Sequence, residues 1–135
     1  MGSNAMVNYL HTFDAVLVPS RCEGAGMVAK EALACGVPVV ATFITGHSDY
    51  LPAPGAVEIK VDGSMVPTTA FGVMPGAKYY DITAEAVRDA LKELLDRYTN
   101  LEVAARANAF NFYVHHHWNN FAGDLSRFAE EVAHG

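Results

Sequence analysis

Two glutamates on either side of a glycine-rich turn are the residues of this sequence with the clearest chemical potential. Glu23 and Glu31 are separated by seven residues and enclose Gly24 and Gly26. Glycines allow unusual φ values and a close approach of the backbone to a ligand. If a helix begins after the turn, the free N–H groups of residues 26–28 form an anion site that suits a phosphate. The spacing therefore predicts a loop that holds a phosphorylated, hydroxyl-rich ligand.

The two carboxylates have different expected positions. Glu31 lies about one turn into the predicted helix, where it can accept hydrogen bonds from two vicinal hydroxyls, as on a ribose. Glu23 precedes the helix and lies nearer the end of the preceding strand, and so nearer any reacting sugar. The helix macrodipole adds ~0.3–1 kcal/mol of attraction for an anion.

A strand–helix–strand unit positions these residues. Residues 13–18 hold four consecutive apolar residues, which predicts a strand buried on both faces of a parallel sheet. Residues 26–35 are helix-like, with Gly36 at the expected C-terminal cap. Residues 37–41 form a second buried strand, and the alternating residues 56–61 form a third strand nearer an edge. The crossover of such a unit is right-handed.

The turns that follow the first two strands are expected to meet. Ligands in an open parallel sheet bind beyond the carboxyl ends of the strands. The turns at 19–26 and 42–49 both leave such ends. The sequence therefore predicts one cleft that is formed by Ser20, Glu23, Gly24, Ala25, Gly26, Thr45, Gly46 and His47.

The rest of the chain adds a loop and several helices. Residues 62–78 are rich in Gly, Pro and Thr and lack periodicity, which predicts either a functional flap or a disordered segment. Thr83 is a predicted N-cap. The helix that follows it has a predicted apolar face made of Val87, Leu91, Leu94, Leu95 and Tyr98. Two more helices are predicted over 101–114 and 118–132.

About three strands, with helices crowded into the last part of the chain, indicate an α/β fold that is the second half of a doubly wound domain. Met1–Ala5 is interpreted as an expression scar, so the domain is residues 6–135, truncated at its N-terminus. The absent strands would leave an exposed sheet edge, which predicts self-association through that edge.

Composition excludes several classes of partner. The 135 residues carry a net charge of −6 with no basic stripe, which argues against nucleic acid. No apolar run approaches the ~20 residues of a transmembrane segment, and no signal peptide is visible. Cys22 lies before and Cys35 at the end of the same predicted helix, so a disulfide would have to span the helix, which is too long for the bond. Both are predicted to be reduced thiols in a cytoplasmic protein, with Cys35 packed as a small apolar residue.

A longer pattern runs through the same stretch, P-S-x-x-E-G-x-G-x-x-x-x-E-A-x-A-x-G-x-P-V-V-A. It is matched by Pro19, Ser20, Glu23, Gly24, Gly26, Glu31, Ala32, Ala34, Gly36, Pro38, Val39, Val40 and Ala41. It resembles the nucleotide-sugar-binding domain of the GT-B glycosyltransferases, in the large retaining family known as group 1 or family 4. Residues 45–49 resemble that family's Gly-Gly loop, with Thr45 at the first glycine. The specific likeness covers residues 13–51 and implies a Rossmann-like sheet from the C-terminal part of a GT-B domain.

The resemblance implies a role for each residue of the cleft. Glu23 would lie by the donor sugar as the catalytic residue, and Glu31 would bind the ribose hydroxyls. The oxocarbenium-like state of sugar transfer is one that a nearby carboxylate stabilises. The backbone amides of the turn and helix start would meet the sugar and the diphosphate; these belong to Gly24, Ala25, Gly26, Met27 and Val28. The donor would be a nucleoside-diphosphate sugar, with retained configuration and with no cofactor or metal.

The resemblance also identifies parts that this chain lacks. The family's Arg and Lys for the leaving diphosphate lie upstream of the matched region, and Arg21 and Lys30 do not occupy those positions. The acceptor-binding N-terminal domain is absent too, so the chain is expected to be inactive alone and the acceptor is unknown. The whole protein would be cytoplasmic, or peripheral at a membrane through that absent domain. Two alternatives stay open: a nucleotide-sugar epimerase or hydrolase of related fold, and a non-catalytic sugar-nucleotide-binding module.

Several remaining side chains have simpler interpretations. Consecutive histidines on a helix point in different directions, so His115, His116 and His117 are expected at a break between helices and not at a metal. Phe110, Phe112, Tyr113 and Trp118 are predicted to be core residues and not a stacking platform. His47 is either a donor contact or a solvated loop histidine.

Overall fold

The computed structural model describes residues 3–67, 78–116, 123, 126 and 127, and it shows an α/β architecture. The central sheet has three parallel strands in the order β1 (Val16–Val18), β2 (Val39–Ala41) and β3 (Ala56–Glu58). The helices are α1 (Ser3–Leu10), α2 (Met27–Ala34), a 3₁₀ helix (Thr45–Asp49) and α3 (Ala84–His116). The strands β4 (Met65–Pro67) and β5 (Lys78–Tyr80) form a separate antiparallel pair. The predicted α/β class with a partial Rossmann-like parallel sheet is confirmed.

The central strand β2 is buried throughout because both of its faces are covered. Val39 and Ala41 pack in a core cluster with α2, whereas Val40 packs on the opposite face with Ala90 and Leu94 of α3. Adjacent residues of a strand point to opposite faces of the sheet, so three apolar residues in a row fit a strand that is covered on both sides.

The prediction that the first strand is buried on both faces is wrong. Leu17 is 44% exposed and Phe13 is 42% exposed. The reason is the position of β1 at the edge of the sheet: the buried residues of α3 cover β2 and β3 and leave Leu17 half uncovered. Val16 and Val18, which point to the other face, pack against the cluster that contains α2 residues.

The ends of α2 follow the predicted signals. Gly26 precedes the helix in the left-handed conformation, with φ 60°, and Gly36 follows it with φ 73°. Ala29, Ala32 and Leu33 form the buried face of the helix. Both cysteines are free, and Cys35 packs partly buried against the same cluster, as expected for a small apolar residue.

The C-terminal helix α3 is one continuous element of 33 residues, about 50 Å long, where two helices were predicted over this stretch. Its sequence contains no glycine or proline that would end it at residue 100. Thr83 caps the helix as predicted, since its Oγ1 accepts a hydrogen bond from Ala86 N at 3.1 Å. Leu94 is buried, but Leu95, predicted on the same apolar face, is 74% exposed.

Residues 105 and 106 of α3 pack against the amino ends of β2 and β3. A Cβ on Gly55, which precedes β3, would overlap Ala105, and a Cβ on Gly36 would lie 3.1 Å from Arg106 Cα. The end of the helix then reaches the α2 side of the sheet, where the Phe112 ring meets Tyr50 at 5.9 Å. One continuous helix thus contacts both faces of the sheet.

Residues 62–78 are not simply a loop, because both ends of this segment carry strands. Met65 pairs with Tyr80 and Pro67 with Lys78. Three-residue strands are too short to give a recognisable alternation. Residues 68–77 lie outside the described part.

The C-terminal predictions have mixed outcomes. Phe112 is buried, but Phe110 and Tyr113 are exposed, so the core assignment is wrong for these two. His115 and His116 continue α3, so the helix break expected at these residues is absent as far as His116. His117, Trp118 and most of the predicted helix 118–132 lie outside the described residues. No helix among the described residues combines the length and apolar character needed to span a bilayer.

Candidate functional site

The turn after β1 and the 3₁₀ helix after β2 meet at the carboxyl edge of the sheet. We call residues 19–26 the site loop. Thr42 Oγ1 donates a hydrogen bond to Ser20 O at 2.6 Å, directly beyond the two strands. Gly46 N donates to Glu23 O at 2.9 Å, and a Cβ on Gly46 would overlap the carbonyl of Gly24. The structure therefore brings the two predicted turns together, and only glycine fits at residue 46.

The Glu23 carboxylate is held by its own loop. Oε2 accepts a hydrogen bond from Ser20 Oγ at 3.3 Å, and Oε1 accepts one from Gly24 N at 3.1 Å. The side chain is half-buried, and each carboxylate oxygen retains capacity for another hydrogen bond. Glu23 can thus face a ligand in a defined orientation while staying accessible.

The amino end of α2 presents backbone donors beside this carboxylate. The first intrahelical bond is from Lys30 N to Gly26 O, at 3.1 Å, so the N–H groups of the three preceding residues have no partner within the helix. The N-cap is a glycine, and no side chain caps the helix there. Met27 and Val28 are exposed. A helix start of this kind attracts anions.

The His47 side chain packs against the start of α2 from the interior of the protein. It is fully buried, so the alternative of a solvated loop histidine is wrong. Its Nδ1 lies 2.8 Å from Thr42 O, and since a carbonyl oxygen can only accept, Nδ1 carries the proton. Its Nε2 has no hydrogen-bond partner in the described part of the chain. A Cβ on Gly26 would overlap the His47 ring, so the glycine and the histidine fit together.

Tyr50 completes this buried cluster. Its hydroxyl donates to Gly26 O at 2.8 Å, and its ring meets the His47 ring edge-on at 6.0 Å. Burial, followed by the negative charges of Glu23 and Asp49, raises the pKa of Tyr50 well above its usual value. The phenol therefore stays a hydrogen-bond donor at physiological pH.

Glu31 lies one turn into α2, as predicted. Its side chain is half-buried, at a helix position opposite the buried face of Ala29, Ala32 and Leu33. Burial and then the charge of Glu31 raise the pKa of the Cys35 thiol, one turn further on. The other predicted residue, Ala25, is exposed at the tip of the site loop.

Two cations border the site, and aromatic rings hold both. Lys30 Nζ lies 4.9 Å from the centre of the Tyr50 ring. The Arg21 guanidinium lies 4.9 Å from the centre of the Tyr79 ring and 3.8 Å from Asp81 Oδ1. Tyr80 N also donates to Arg21 O at 3.2 Å. The β4–β5 pair follows β3 in sequence, yet it contacts the site loop, which follows β1. β1 and β3 are the two outer strands of the sheet, so this contact crosses the full width of the sheet.

Sequence reasoning missed Thr42, Tyr50 and the β4–β5 pair. Thr42 had a local signal, since it is the first polar residue after a buried strand. Tyr50 and the contact of Tyr80 with Arg21 had none, because both depend on how distant segments fold back. The described residues contain no group of three or more His, Cys, Asp or Glu side chains that could hold a metal ion.

Comparison with known proteins finds similarity to glycosyltransferases. A D-inositol 3-phosphate glycosyltransferase of Saccharomonospora viridis is 45% identical over 67 residues, which are 50% of this chain and 14% of that protein. The enzyme of the same name from Paenarthrobacter aurescens is 43% identical over 58 residues, 43% of this chain and 14% of that protein. An uncharacterized glycosyltransferase of Methanocaldococcus jannaschii is 39% identical over 46 residues, 34% of this chain and 13% of that protein.

The match to these relatives spans about one seventh of their length. No solved structure gives a significant match. A model of the family described as family 4 glycosyltransferase in conflict systems matches residues 2–125. Since this match covers most of the chain, the chain belongs to that glycosyltransferase family.

Proposed function

We propose that this chain is the donor-binding part of a retaining glycosyltransferase that moves a sugar from a nucleoside-diphosphate sugar to an acceptor. The observation that carries the proposal is the position of Glu23. Its oriented carboxylate lies beside the uncapped amino end of α2, on the edge of the sheet where ligands of this fold class bind.

The chemistry of such a donor fits the groups at the site. The diphosphate is bound by the free amides at the start of α2, and the two vicinal ribose hydroxyls donate to Glu31. The sugar then lies towards Glu23, whose charge stabilises an oxocarbenium-like state. Negative charge that gathers on the departing diphosphate is stabilised by the same amides. The donor serves as substrate, and the proposed transfer uses no cofactor and no metal.

We further propose that the chain alone does not turn over. The two cations at the site are occupied, Lys30 by Tyr50 and Arg21 by Tyr79 and Asp81. These contacts hold both side chains to neighbouring rings, and neither residue occupies the positions at which the resembled family carries its Arg and Lys for the leaving diphosphate. The acceptor-binding part and the missing cations would come from outside the matched region, and the whole protein would work in the cytoplasm or at a membrane surface.

Self-association through the free edge of β1 is part of the same proposal. Val16 N donates to Pro38 O on the β2 side at 2.9 Å, and N–H directions alternate along a strand, so Leu17 N–H points away from β2. In the part of the chain that the structure describes, no strand pairs with that edge. A second copy could extend the sheet there.

Calorimetry of the 135-residue chain with UDP, GDP, ADP and inorganic diphosphate tests the donor site. We expect one nucleoside diphosphate to bind better than inorganic diphosphate. Glu31→Gln should weaken the nucleotide about tenfold, since the charge and one of the two acceptor oxygens for the ribose hydroxyls are lost, and leave inorganic diphosphate unchanged. Glu93→Gln on α3 is the matched control. Equal effects of Glu31→Gln on both ligands would refute the ribose assignment, and absence of any binding would refute the site.

A further inference from the structure

We propose that Thr45 is a positioning residue for Glu23, and that its hydroxyl fixes the peptide from which the sugar-facing carboxylate projects. This inference rests on the proposed donor site. It concerns a residue at which the chain departs from the pattern it resembles, because threonine stands there in place of a glycine.

Both polar groups of the Glu23 backbone are held by the 3₁₀ helix. Glu23 N donates to Thr45 Oγ1 at 2.9 Å, and Glu23 O accepts from Gly46 N at 2.9 Å. Thr45 is itself fixed, since Ser48 Oγ donates to Thr45 O at 2.6 Å. Two adjacent residues thus clamp the Glu23 backbone at both ends.

The backbone conformation of Thr45 makes this contact informative. Its φ is 52°, in the left-handed region, and it is the one residue other than glycine with positive φ among the described residues. A β-branched side chain is unfavourable in that region, where glycine would be relaxed. Strained residues of this kind persist where the surrounding structure holds them, and they cluster at functional sites.

A purely structural turn would gain from glycine at position 45. Threonine adds a hydroxyl, and this is the group that binds Glu23 N. One anchor of the Glu23 carboxylate is Gly24 N, which belongs to the same peptide bond as Glu23 O, so a shift of the Glu23 backbone moves this anchor and the carboxylate with it. We infer that the hydroxyl sets the position of Glu23 against the sugar and has little effect on the nucleotide.

Binding measurements with matched ligand pairs test this assignment. The variants are Thr45→Gly, Thr45→Ser and Thr45→Val, with Thr99→Val on the exposed face of α3 as control. The probes are UDP with UDP-glucose and GDP with GDP-mannose. We expect Thr45→Gly and Thr45→Val to weaken the sugar nucleotide about three- to tenfold, the range of one lost hydrogen bond, and to change the free nucleotide less than twofold. Thr45→Ser should keep most of the affinity.

Thermal unfolding separates positioning from stability. Thr45→Gly relieves the strained φ, so it should not be less stable than Thr45→Val, although both lose sugar affinity. Wild-type affinity of Thr45→Gly for the sugar nucleotide, or an equal loss in Thr45→Ser, would overturn the proposal. If the wild-type chain binds none of the four ligands, the donor site itself fails.

Hydrogen exchange of the backbone amides in the ligand-free chain tests the hydrogen bond from Glu23 N to Thr45 Oγ1 directly. Thr45→Gly and Thr45→Val should speed exchange of the Glu23 N–H at least severalfold, while Thr45→Ser and Thr99→Val leave it slow. An unchanged Glu23 exchange rate in Thr45→Val would overturn the clamp, whatever the ligands do.

Discussion

The two ends of the same three-stranded sheet are built in different ways. At the amino edge, Gly36 and Gly55 lie against the backbone of α3, so contact is made by close steric fit. At the carboxyl edge, the site loop and the 3₁₀ helix are joined by side-chain hydrogen bonds from Thr42 and to Thr45. The first arrangement fixes the path of the chain, while the second leaves backbone amides exposed and Glu23 oxygens with further acceptor capacity, where we propose that the donor binds.

The amino edge also carries a groove with a volume of about 540 Å³. It is lined by exposed or partly paired groups, such as Glu102 with Arg106 at 2.7 Å and His11 with Cys35 O at 2.9 Å. The carboxyl edge, by contrast, contains a strained residue, Thr45, and a buried ring nitrogen without a partner on His47. Strain and unsatisfied groups are typical of functional sites, so they favour the carboxyl edge as the place of the proposed donor site.

The largest effect is expected from Gly55→Ala at the amino edge. The new Cβ would overlap Ala105 on α3, and the φ of 86° is unfavourable for alanine. Neither the strand nor the helix backbone can move easily, so the free energy of unfolding should fall by about 2–4 kcal/mol in urea titrations. The matched control is Gly63→Ala, whose φ is 84° and whose Cβ meets nothing within 4 Å. Gly63→Ala should lower the free energy of unfolding by about 1 kcal/mol. Equal losses in the two variants would contradict the close steric fit of Gly55 against α3.

Local signals were sufficient to predict several helix ends and much of the carboxyl edge. Gly26, Gly36 and Thr83 mark helix ends through conformations and caps that depend on neighbouring residues alone. The parallel sheet then forces the turns after β1 and β2 to the same side, which is why Glu23 and Gly46 could be expected to meet.

What the sequence did not reveal depends on distant packing. Leu17 has the same apolar character as Val40, and only the strand order leaves Leu17 at an edge. The burial of His47 could not be read from its neighbours in sequence, since it depends on the fit of its ring against Gly26, which comes from another segment. The continuity of α3 was missed because its buried residues change from one face of the sheet to the other along the helix.

A smaller effect is expected at the carboxyl edge in alkaline solution. The pKa of Tyr50 is raised in the folded chain, mainly by burial. The folded state therefore keeps a proton that the unfolded state loses above pH ~10. The stability contribution is complete below that pH and falls by about 1.4 kcal/mol per pH unit above it. Urea titrations from pH 9 to 11 should show this slope.

Tyr50→Phe is the variant that isolates the Tyr50 contribution. It loses the bond to Gly26 O, so it should be about 1 kcal/mol less stable at pH 7, but its stability should fall less steeply above pH 10. Tyr9→Phe, at an exposed ring, should keep the wild-type slope. If the free energy of unfolding of Tyr50→Phe falls as steeply above pH ~10 as that of the wild type, the Tyr50 phenol does not stabilise the carboxyl edge.

The smallest effect on stability, and the sharpest test of the sheet edge, is expected from Leu17→Lys. Leu17 is already 44% exposed, so the free energy of unfolding should change by less than about 0.5 kcal/mol. A lysine on an edge strand opposes pairing with another strand, so the mass measured by light scattering at high concentration should fall from an oligomer to a monomer. Leu95→Lys on α3 adds the same charge at a 74% exposed position and should leave the oligomer intact. A wild-type chain that stays monomeric at high concentration would contradict self-association through this edge. The free edge of β1 would then be a third kind of boundary, neither sterically closed like the amino edge nor open to a ligand like the carboxyl edge.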